Sequence, residues 1–102
     1  MARKQRKQNK QALKEGDAEA LVKAFLSMRG SWEMKAFLRD LLTESELVEF
    51  AKRFRAARSI AKSIHYDAIA EDTGLSSRTI ARVKQWYKHG EGGYKLAIAR
   101  RK

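Results

Sequence analysis

The chain has 102 residues, of which 23 are Lys or Arg and 12 are Asp or Glu, giving a formal net charge of +11. This length allows one small domain, and the absence of Cys excludes disulfides, thiolate metal sites and cysteine nucleophiles and fits a reducing compartment. No window approaches the roughly 18 apolar residues that a membrane span requires, and no apolar segment follows the basic N-terminus. We therefore expect a cytoplasmic protein without a signal peptide or membrane span.

Most of the net charge lies at the two ends of the chain. Residues 1–14 contain six basic residues, no acidic residue and no apolar periodicity, which predicts a disordered basic arm. Residues 100–102 form a short basic tail at the other end. The domain predicted between them, residues 15–99, is nearly balanced in charge. The two ends therefore favour binding to polyanions without selecting a nucleotide sequence.

Two amphipathic helices are predicted after the basic arm. The chain has no proline, and its six glycines fall at element boundaries, which favours helices. The first helix is predicted to begin with Asp17 as its N-cap and to end before Gly30, and Ser31 is the predicted N-cap of the second. Each helix carries an apolar stripe that we assign to the core. The stripes are Leu21, Ala24, Phe25 and Met28 in the first helix, and Met34, Phe37, Leu38 and Leu41 in the second.

A capping box predicts the start of a longer third helix. The Thr43 hydroxyl can accept a hydrogen bond from the N–H of Glu46, whose carboxylate can accept one from the N–H of Thr43. An apolar face then continues for about five turns, and basic residues cover the rest of the helix. The apolar face consists of Leu47, Phe50, Ala51, Phe54, Ala57, Ala61 and Ile64. Since no segment shows the alternation typical of a β-strand, the fold is predicted to be all-α, with about six helices.

Residues 66–83 have the layout of a helix-turn-helix. Gly74 can adopt the left-handed conformation that ends the short first helix, and Ser76 or Ser77 can cap the second. The predicted inward-facing residues are Ile69, Ala70, Leu75, Ile80 and Val83.

The outward face of the second helix is basic and rich in hydrogen-bond donors. Such a helix fits the major groove of duplex DNA, where its N-terminal residues contact base edges and its N-terminal N–H groups favour phosphate. We expect Arg78 to contact O6 and N7 of a guanine. Three acidic residues of the first helix, Asp67, Glu71 and Asp72, are expected to face away from DNA or to serve a helix N-terminus. The predicted DNA-binding residues are Ser76, Ser77, Arg78, Thr79, Ala81, Arg82, Lys84, Gln85 and Lys88.

Three segments carry a family resemblance, and they read LLTESELVEFAKRFRAARSIAKS, HYDAIAEDTGLSSRTIARV and WYKHGEGGYKLAIAR. Over residues 20–99 the chain resembles the Trp repressor superfamily, and its YerC/YecD branch in particular. The resemblance implies an all-α fold in which two chains interlock through their N-terminal helices, forming an intertwined homodimer with two helix-turn-helix units. Two-fold symmetry predicts a palindromic DNA site with half-sites about 34 Å apart.

The resemblance also implies a corepressor site between the long helix and the recognition helix. Trp repressor binds tryptophan there with a Thr, two Arg and small residues. The residues at the matching positions are Thr43, Arg53, Thr79, Arg82, Val83 and Trp86. Because the last two are bulky where the family has small side chains, we expect them to fill or narrow the cavity. Tryptophan is therefore not expected as an effector, and the identity of any other effector stays open.

The remaining chemistry-bearing residues predict no catalytic centre. His65 and His89 have no ligand-spaced partner, and the chain has no P-loop, dinucleotide fingerprint or Ser-His-Asp spacing, so no metal, cofactor or enzymatic activity is expected. We expect protonated His65 to be favoured by the C-terminal dipole of the long helix. Gly90 is expected to stop the recognition helix and Tyr94 to pack the last helix against the core. Alternatively, the Gly90–Gly93 loop is a hinge or approaches the DNA backbone.

The expected function is sequence-specific binding of double-stranded DNA by a transcriptional regulator of the repressor type. Two alternatives remain open on the sequence. In the first, a structural nucleic-acid-binding protein relies on the basic ends, so that binding tolerates any sequence and depends steeply on salt. In the second, an adaptor uses the helix-turn-helix surface for protein contacts and has no affinity for DNA at physiological salt.

Overall fold

The computed structural model describes residues 16–101, and over this range it contains only α-helices and connecting turns. The helices are α1 (Asp17–Ser27), α2 (Gly30–Leu41), α3 (Glu44–Ala61), α4 (Tyr66–Thr73), α5 (Ser77–His89) and α6 (Gly93–Arg100). The all-α prediction is confirmed. The predicted arm, residues 1–14, and Lys102 lie outside the described residues. None of the described helices is long and apolar enough to cross a membrane.

The chain divides between Leu41 and Leu42 into two compact units. The first unit contains α1 and α2, and its central contact is edge-to-face packing of Phe25 on Phe37, with ring centroids 5.3 Å apart. No residue of either helix is fully buried. The predicted apolar stripes are half-buried except at Leu21 and Leu41, because a pair of helices covers each side chain from one direction only.

Both predicted N-caps of the first unit are wrong by one or two residues. The N-cap of α1 is Gly16, whose φ of 92° lies in the left-handed region that glycine adopts without strain, so Asp17 is the first helical residue. Helix α2 begins at Gly30, and the N–H of Arg29 donates to Oε1 of Glu33 over 2.7 Å. The carboxylate of Glu33 thus accepts a backbone N–H at the start of α2, where a serine hydroxyl was expected to do so.

The second unit, α3 to α6, has a small buried core. Ala56 and Ala57 of α3 are fully buried, and these short side chains let α4 and α5 approach the α3 backbone closely. The core consists of Ala56, Ala57, Ile69, Leu75, Ile80 and Val83, with Ile60, Ala70, Tyr94 and Ile98 packed against it. Four of the five inward-facing residues predicted for the helix-turn-helix belong to this core, and the fifth, Ala70, packs against it.

Helix α3 begins as predicted but ends earlier. The capping box is present, with the Glu46 N–H donating to Thr43 Oγ1 over 3.1 Å and the Thr43 N–H donating to Glu46 Oε1 over 2.9 Å. The helix ends at Ala61 because Ser63 adopts a left-handed conformation with φ of 61°. Ile64 therefore lies beyond the helix and is exposed.

The predicted apolar face of α3 agrees with the structure in part, since Ala57 is fully buried and Leu47, Phe54 and Ala61 are half-buried. Phe50 is 49% exposed and Ala51 is exposed, whereas Ala56 was not predicted to be inside and is fully buried. The core of this unit packs on Ala56, Ala57 and Ile60 near the end of the helix. Contacts from α4 and α5, which are distant in sequence, therefore decide which residues of α3 are buried.

Candidate nucleic-acid interface

A glycine-ended turn fixes the angle between α4 and α5. Gly74 has φ of 76°, and its N–H donates to the carbonyl of Ala70 over 2.8 Å. Leu75 follows directly and is 7% exposed, so the turn contributes one apolar side chain to the core. These positions agree with the predicted layout of the helix-turn-helix.

A buried hydroxyl that the sequence pattern did not single out also holds this turn. The Thr73 side chain is 3% exposed, and its Oγ1 donates to the carbonyl of Ile69 over 2.8 Å. The same oxygen accepts a hydrogen bond from the N–H of Leu75 over 3.2 Å. Thr73 thus satisfies a buried backbone donor at the point where the chain leaves α4.

Ser76, rather than Ser77, is the N-cap of α5. Its Oγ accepts a hydrogen bond from the Thr79 N–H over 3.1 Å, and the two hydroxyl oxygens also lie 3.1 Å apart. Ser77 is left as an exposed first residue of the helix. On the opposite face, Ile80 and Val83 are buried, which fixes the rotation of α5 about its axis.

An open basic groove runs along α5 beside Tyr66, the first residue of α4. The cations of α5, Arg78, Arg82, Lys84 and Lys88, are exposed, the helix has no acidic residue, and none of the four forms an ion pair with a described residue. The groove has a volume of about 730 Å³. It is lined by Tyr66, Ser77, Arg78, Ile80, Ala81, Arg82, Lys84 and Gln85.

The structure therefore brings together most of the predicted DNA-binding residues. Ser76 and Thr79 are engaged with each other at the helix start, Thr79 is half-buried, and Lys88 lies beyond the groove on the same helix. Tyr66 was not predicted to belong to this surface. It is the first residue of α4, and the fold places it in the groove although it is distant in sequence from Gln85. An aromatic residue at the start of the first helix of the motif is the sequence signal that could have indicated this position.

Asp72, one of the three acidic residues of α4, is paired with a cation of α3. Asp72 accepts a bidentate interaction from Arg55 of α3, with Nε to Oδ2 at 2.9 Å and Nη2 to Oδ1 at 3.0 Å. Arg55 also donates to the backbone carbonyl of Asp72 over 2.7 Å. These hydrogen bonds lower the pKa of the Asp72 carboxyl. The pair links the end of α4 to α3 and neutralises one acidic charge of the motif.

His65 has a different role from the one predicted. It is the N-cap of α4, and its Nδ1 accepts a hydrogen bond from the Asp67 N–H over 3.2 Å. Helix α3 ends at Ala61, four residues before His65, so His65 does not lie in the last turn of that helix as expected. Among residues 16–101, no group of three or more His, Asp or Glu side chains could hold a metal ion.

The groove that contains Arg82 and the hollow that contains Trp86 do not bring the predicted corepressor residues together. Thr43 caps α3, and Arg53 pairs with Glu49 over 3.4 Å. Thr43 and Arg53 line neither the groove that contains Arg82 nor the hollow that contains Trp86. Val83 is fully buried, whereas Trp86 is 46% exposed and lines a hollow together with Gly90, Gly93 and Tyr94.

The α5–α6 connection stops one helix and starts the next. Gly90 is the C-cap of α5, as predicted, and a Cβ atom there would lie 2.4 Å from the carbonyl oxygen of Trp86. Tyr94 packs against the core from α6, as predicted. Burial raises the pKa of the Tyr94 phenol, and the positive charge of Arg53 partly opposes this shift.

Comparisons with known proteins agree with this architecture. The family model described as Trp repressor protein matches residues 17–102. YerC of Bacillus subtilis strain 168 is 32% identical over 84 residues, covering 82% of this chain and 81% of YerC. A TrpR-like protein from Eubacterium eligens has a TM-score of 0.80 at 34% identity, covering 86% of this chain and 91% of its own. A candidate Trp repressor from Staphylococcus aureus has a TM-score of 0.79 at 28% identity, with coverages of 88% and 90%. The chain therefore belongs to the Trp repressor family of helix-turn-helix DNA-binding regulators.

Proposed function

We propose that the chain is a sequence-specific regulator that binds double-stranded DNA by inserting α5 into the major groove. The observation that carries this proposal is the outward face of α5, with four exposed cations and no acidic residue. Buried Ile80 and Val83 hold that face outward, and the Ser76 cap orders the end of the helix that meets the base edges.

Different residues of the groove suit different parts of DNA. Arg78 is the second residue of α5 and is exposed, so its guanidinium can reach a base edge and donate two parallel hydrogen bonds to guanine O6 and N7. Lys84 and Lys88 lie farther along the helix and suit phosphate contacts, which add affinity without reading the sequence. Arg78 is thus the residue that we propose for specificity.

We propose a homodimer as the DNA-binding unit. Large apolar side chains remain exposed in the described chain, including Leu26 at 79% and Trp32 at 78%. A second copy that interlocks through the N-terminal helices would cover these residues and would also set two α5 helices on successive turns of the major groove. Sedimentation equilibrium should give the mass of two chains, and a monomer that binds a palindrome with unit stoichiometry would contradict the dimer.

We also propose that tryptophan is not the effector. Val83 is fully buried, and its branched side chain occupies a position where the resemblance implies a glycine beside the indole. Calorimetric titration with tryptophan should release no heat and should leave DNA affinity unchanged. A micromolar tryptophan site would refute this part of the proposal.

Selection of bound duplexes from a random pool at about 150 mM salt tests the DNA-binding function. Enrichment of a palindromic sequence would support a specific regulator. A flat result, with binding abolished by deletion of residues 1–14, would favour a structural nucleic-acid-binding protein that relies on its basic ends. Absence of any binding would favour an adaptor role for the helix-turn-helix surface.

A further inference from the structure

We infer that the Tyr66 hydroxyl is a DNA phosphate contact, supplied by α4 in place of a basic side chain. The inference rests on the proposed DNA-binding function. Tyr66 is half-exposed, lies at the first position of α4, and lines the same groove as Arg78, Lys84 and Gln85 of α5. A half-exposed tyrosine therefore borders the surface that we propose to enter the major groove.

The composition of α4 makes Tyr66 its single exposed side-chain donor. The helix, YDAIAEDT, contains no Lys or Arg. Its one other hydroxyl belongs to Thr73, which is buried and donates to the carbonyl of Ile69. The acidic side chains of α4 can only accept hydrogen bonds when ionised, so they cannot bind phosphate directly.

The position of Tyr66 suits phosphate rather than a base edge. In helix-turn-helix proteins the second helix occupies the groove while the first crosses the sugar-phosphate backbone. Tyrosine hydroxyls are common donors to phosphate oxygens.

The ring is held in place by its neighbour. It stacks on His65 with centroids 5.3 Å apart and an interplanar angle of 23°. His65 is itself fixed because its Nδ1 accepts the N–H of Asp67 over 3.2 Å. A side chain that is already ordered loses less conformational entropy when it binds, so a single neutral donor can contribute measurably to affinity.

A neutral donor and a cation leave different signatures in salt titrations. The slope of log K against log salt is negative. Removal of a cation that contacts phosphate makes this slope shallower by about 1, because fewer counterions are released on binding. Tyr66→Phe removes the hydroxyl and keeps the ring, so we expect about tenfold weaker binding with the slope unchanged. Lys84→Ala should weaken binding and make the slope shallower.

The test measures fluorescence anisotropy of the full chain with a selected duplex and a scrambled duplex, over a range of salt concentrations. Tyr87→Phe is the matched control, since Tyr87 lies on α5 outside the groove, with its ring 5.6 Å from Lys95 Nζ. We expect Tyr66→Phe, but not Tyr87→Phe, to lose about tenfold in affinity for both duplexes. His65→Ala should give a smaller loss, because it frees the ring without removing the hydroxyl.

Each outcome of this experiment decides the inference. If the wild-type chain binds and Tyr66→Phe binds equally well, the inference is overturned while the proposed function stands. A loss confined to the selected duplex would show a base contact and would overturn the phosphate assignment. If the wild-type chain binds neither duplex, the proposed function fails and the inference fails with it.

Discussion

Replacement of Thr73 by valine removes the hydroxyl that holds the turn of the helix-turn-helix while conserving side-chain shape. Thr73 Oγ1 accepts the N–H of Leu75 over 3.2 Å, and both residues are buried, at 3% and 7% exposure. Thr73→Val leaves that N–H buried without an acceptor, at a cost of about 1–3 kcal/mol. No cavity forms, and threonine and valine have similar helix propensities, so this loss should dominate the change in stability.

The assay combines urea unfolding with hydrogen exchange. Unfolding should show the loss of about 1–3 kcal/mol at an unchanged m-value. In NMR hydrogen exchange, the amide of Leu75 should lose protection selectively in Thr73→Val. Thr73→Ser keeps the hydroxyl and should retain that protection, although loss of a methyl group costs about 1 kcal/mol. Wild-type stability and wild-type exchange at Leu75 in the valine variant would refute the assignment of this hydrogen bond.

Three further predictions concern connections around the motif. Ser63→Gly should raise the free energy of unfolding in urea by about 0.5–1 kcal/mol. The left-handed backbone at φ 61° is strained for serine but not for glycine, and this gain exceeds the added conformational entropy of glycine in the unfolded chain. A loss of stability would contradict this prediction. Gly90→Ala should destabilise the protein by about 1–3 kcal/mol, since the new Cβ would lie 2.4 Å from a backbone oxygen of α5. Gly93→Ala is the control and should not destabilise it, because a Cβ at that position meets open space. Arg55 lowers the pKa of Asp72, so the stability that this pair contributes is present at neutral pH and is lost as the pH falls through the lowered pKa. Wild-type protein should therefore lose more stability than Asp72→Asn between neutral and acidic pH, and parallel acid unfolding curves would contradict this.

Local sequence signals predicted the parts of the fold that are determined by a few neighbouring residues. The capping box of Thr43 and Glu46, the left-handed Gly74 and the serine cap of α5 each satisfy backbone groups within four residues, so their patterns predict the structure directly. The inward positions of Ile80 and Val83 follow from helical periodicity.

Features that depend on distant contacts were not predictable in this way. The burial of Ala56 in place of Ala51 is decided by packing of α4 and α5. The Arg55–Asp72 pair joins residues 17 positions apart, and no local pattern indicates it. Ser63 ends α3 with a left-handed conformation that non-glycine residues rarely adopt, so the residue type gives no signal. Tyr66 reaches the groove only because the turn at Gly74 folds α4 across α5.

Charge has separate roles in different parts of the molecule. The outward face of α5 is basic, whereas α4 is acidic and has one carboxylate neutralised by Arg55. The helix that we propose to enter the major groove therefore lies next to one that has no cation for the DNA backbone. In the proposed complex, specificity comes from α5, and the basic ends of the chain supply salt-dependent affinity.

The most direct test of the central claim is the affinity ratio between a selected duplex and a scrambled duplex for wild-type protein and Arg78→Ala, at fixed salt. We expect Arg78→Ala to lose about 1–3 kcal/mol on the selected duplex, to lose little on the scrambled duplex, and to relax the base preference at one position. Arg39→Ala, which removes the same charge from an exposed site on α2, should leave the ratio unchanged. Equal losses on both duplexes, or a wild-type ratio in Arg78→Ala, would contradict sequence recognition by α5.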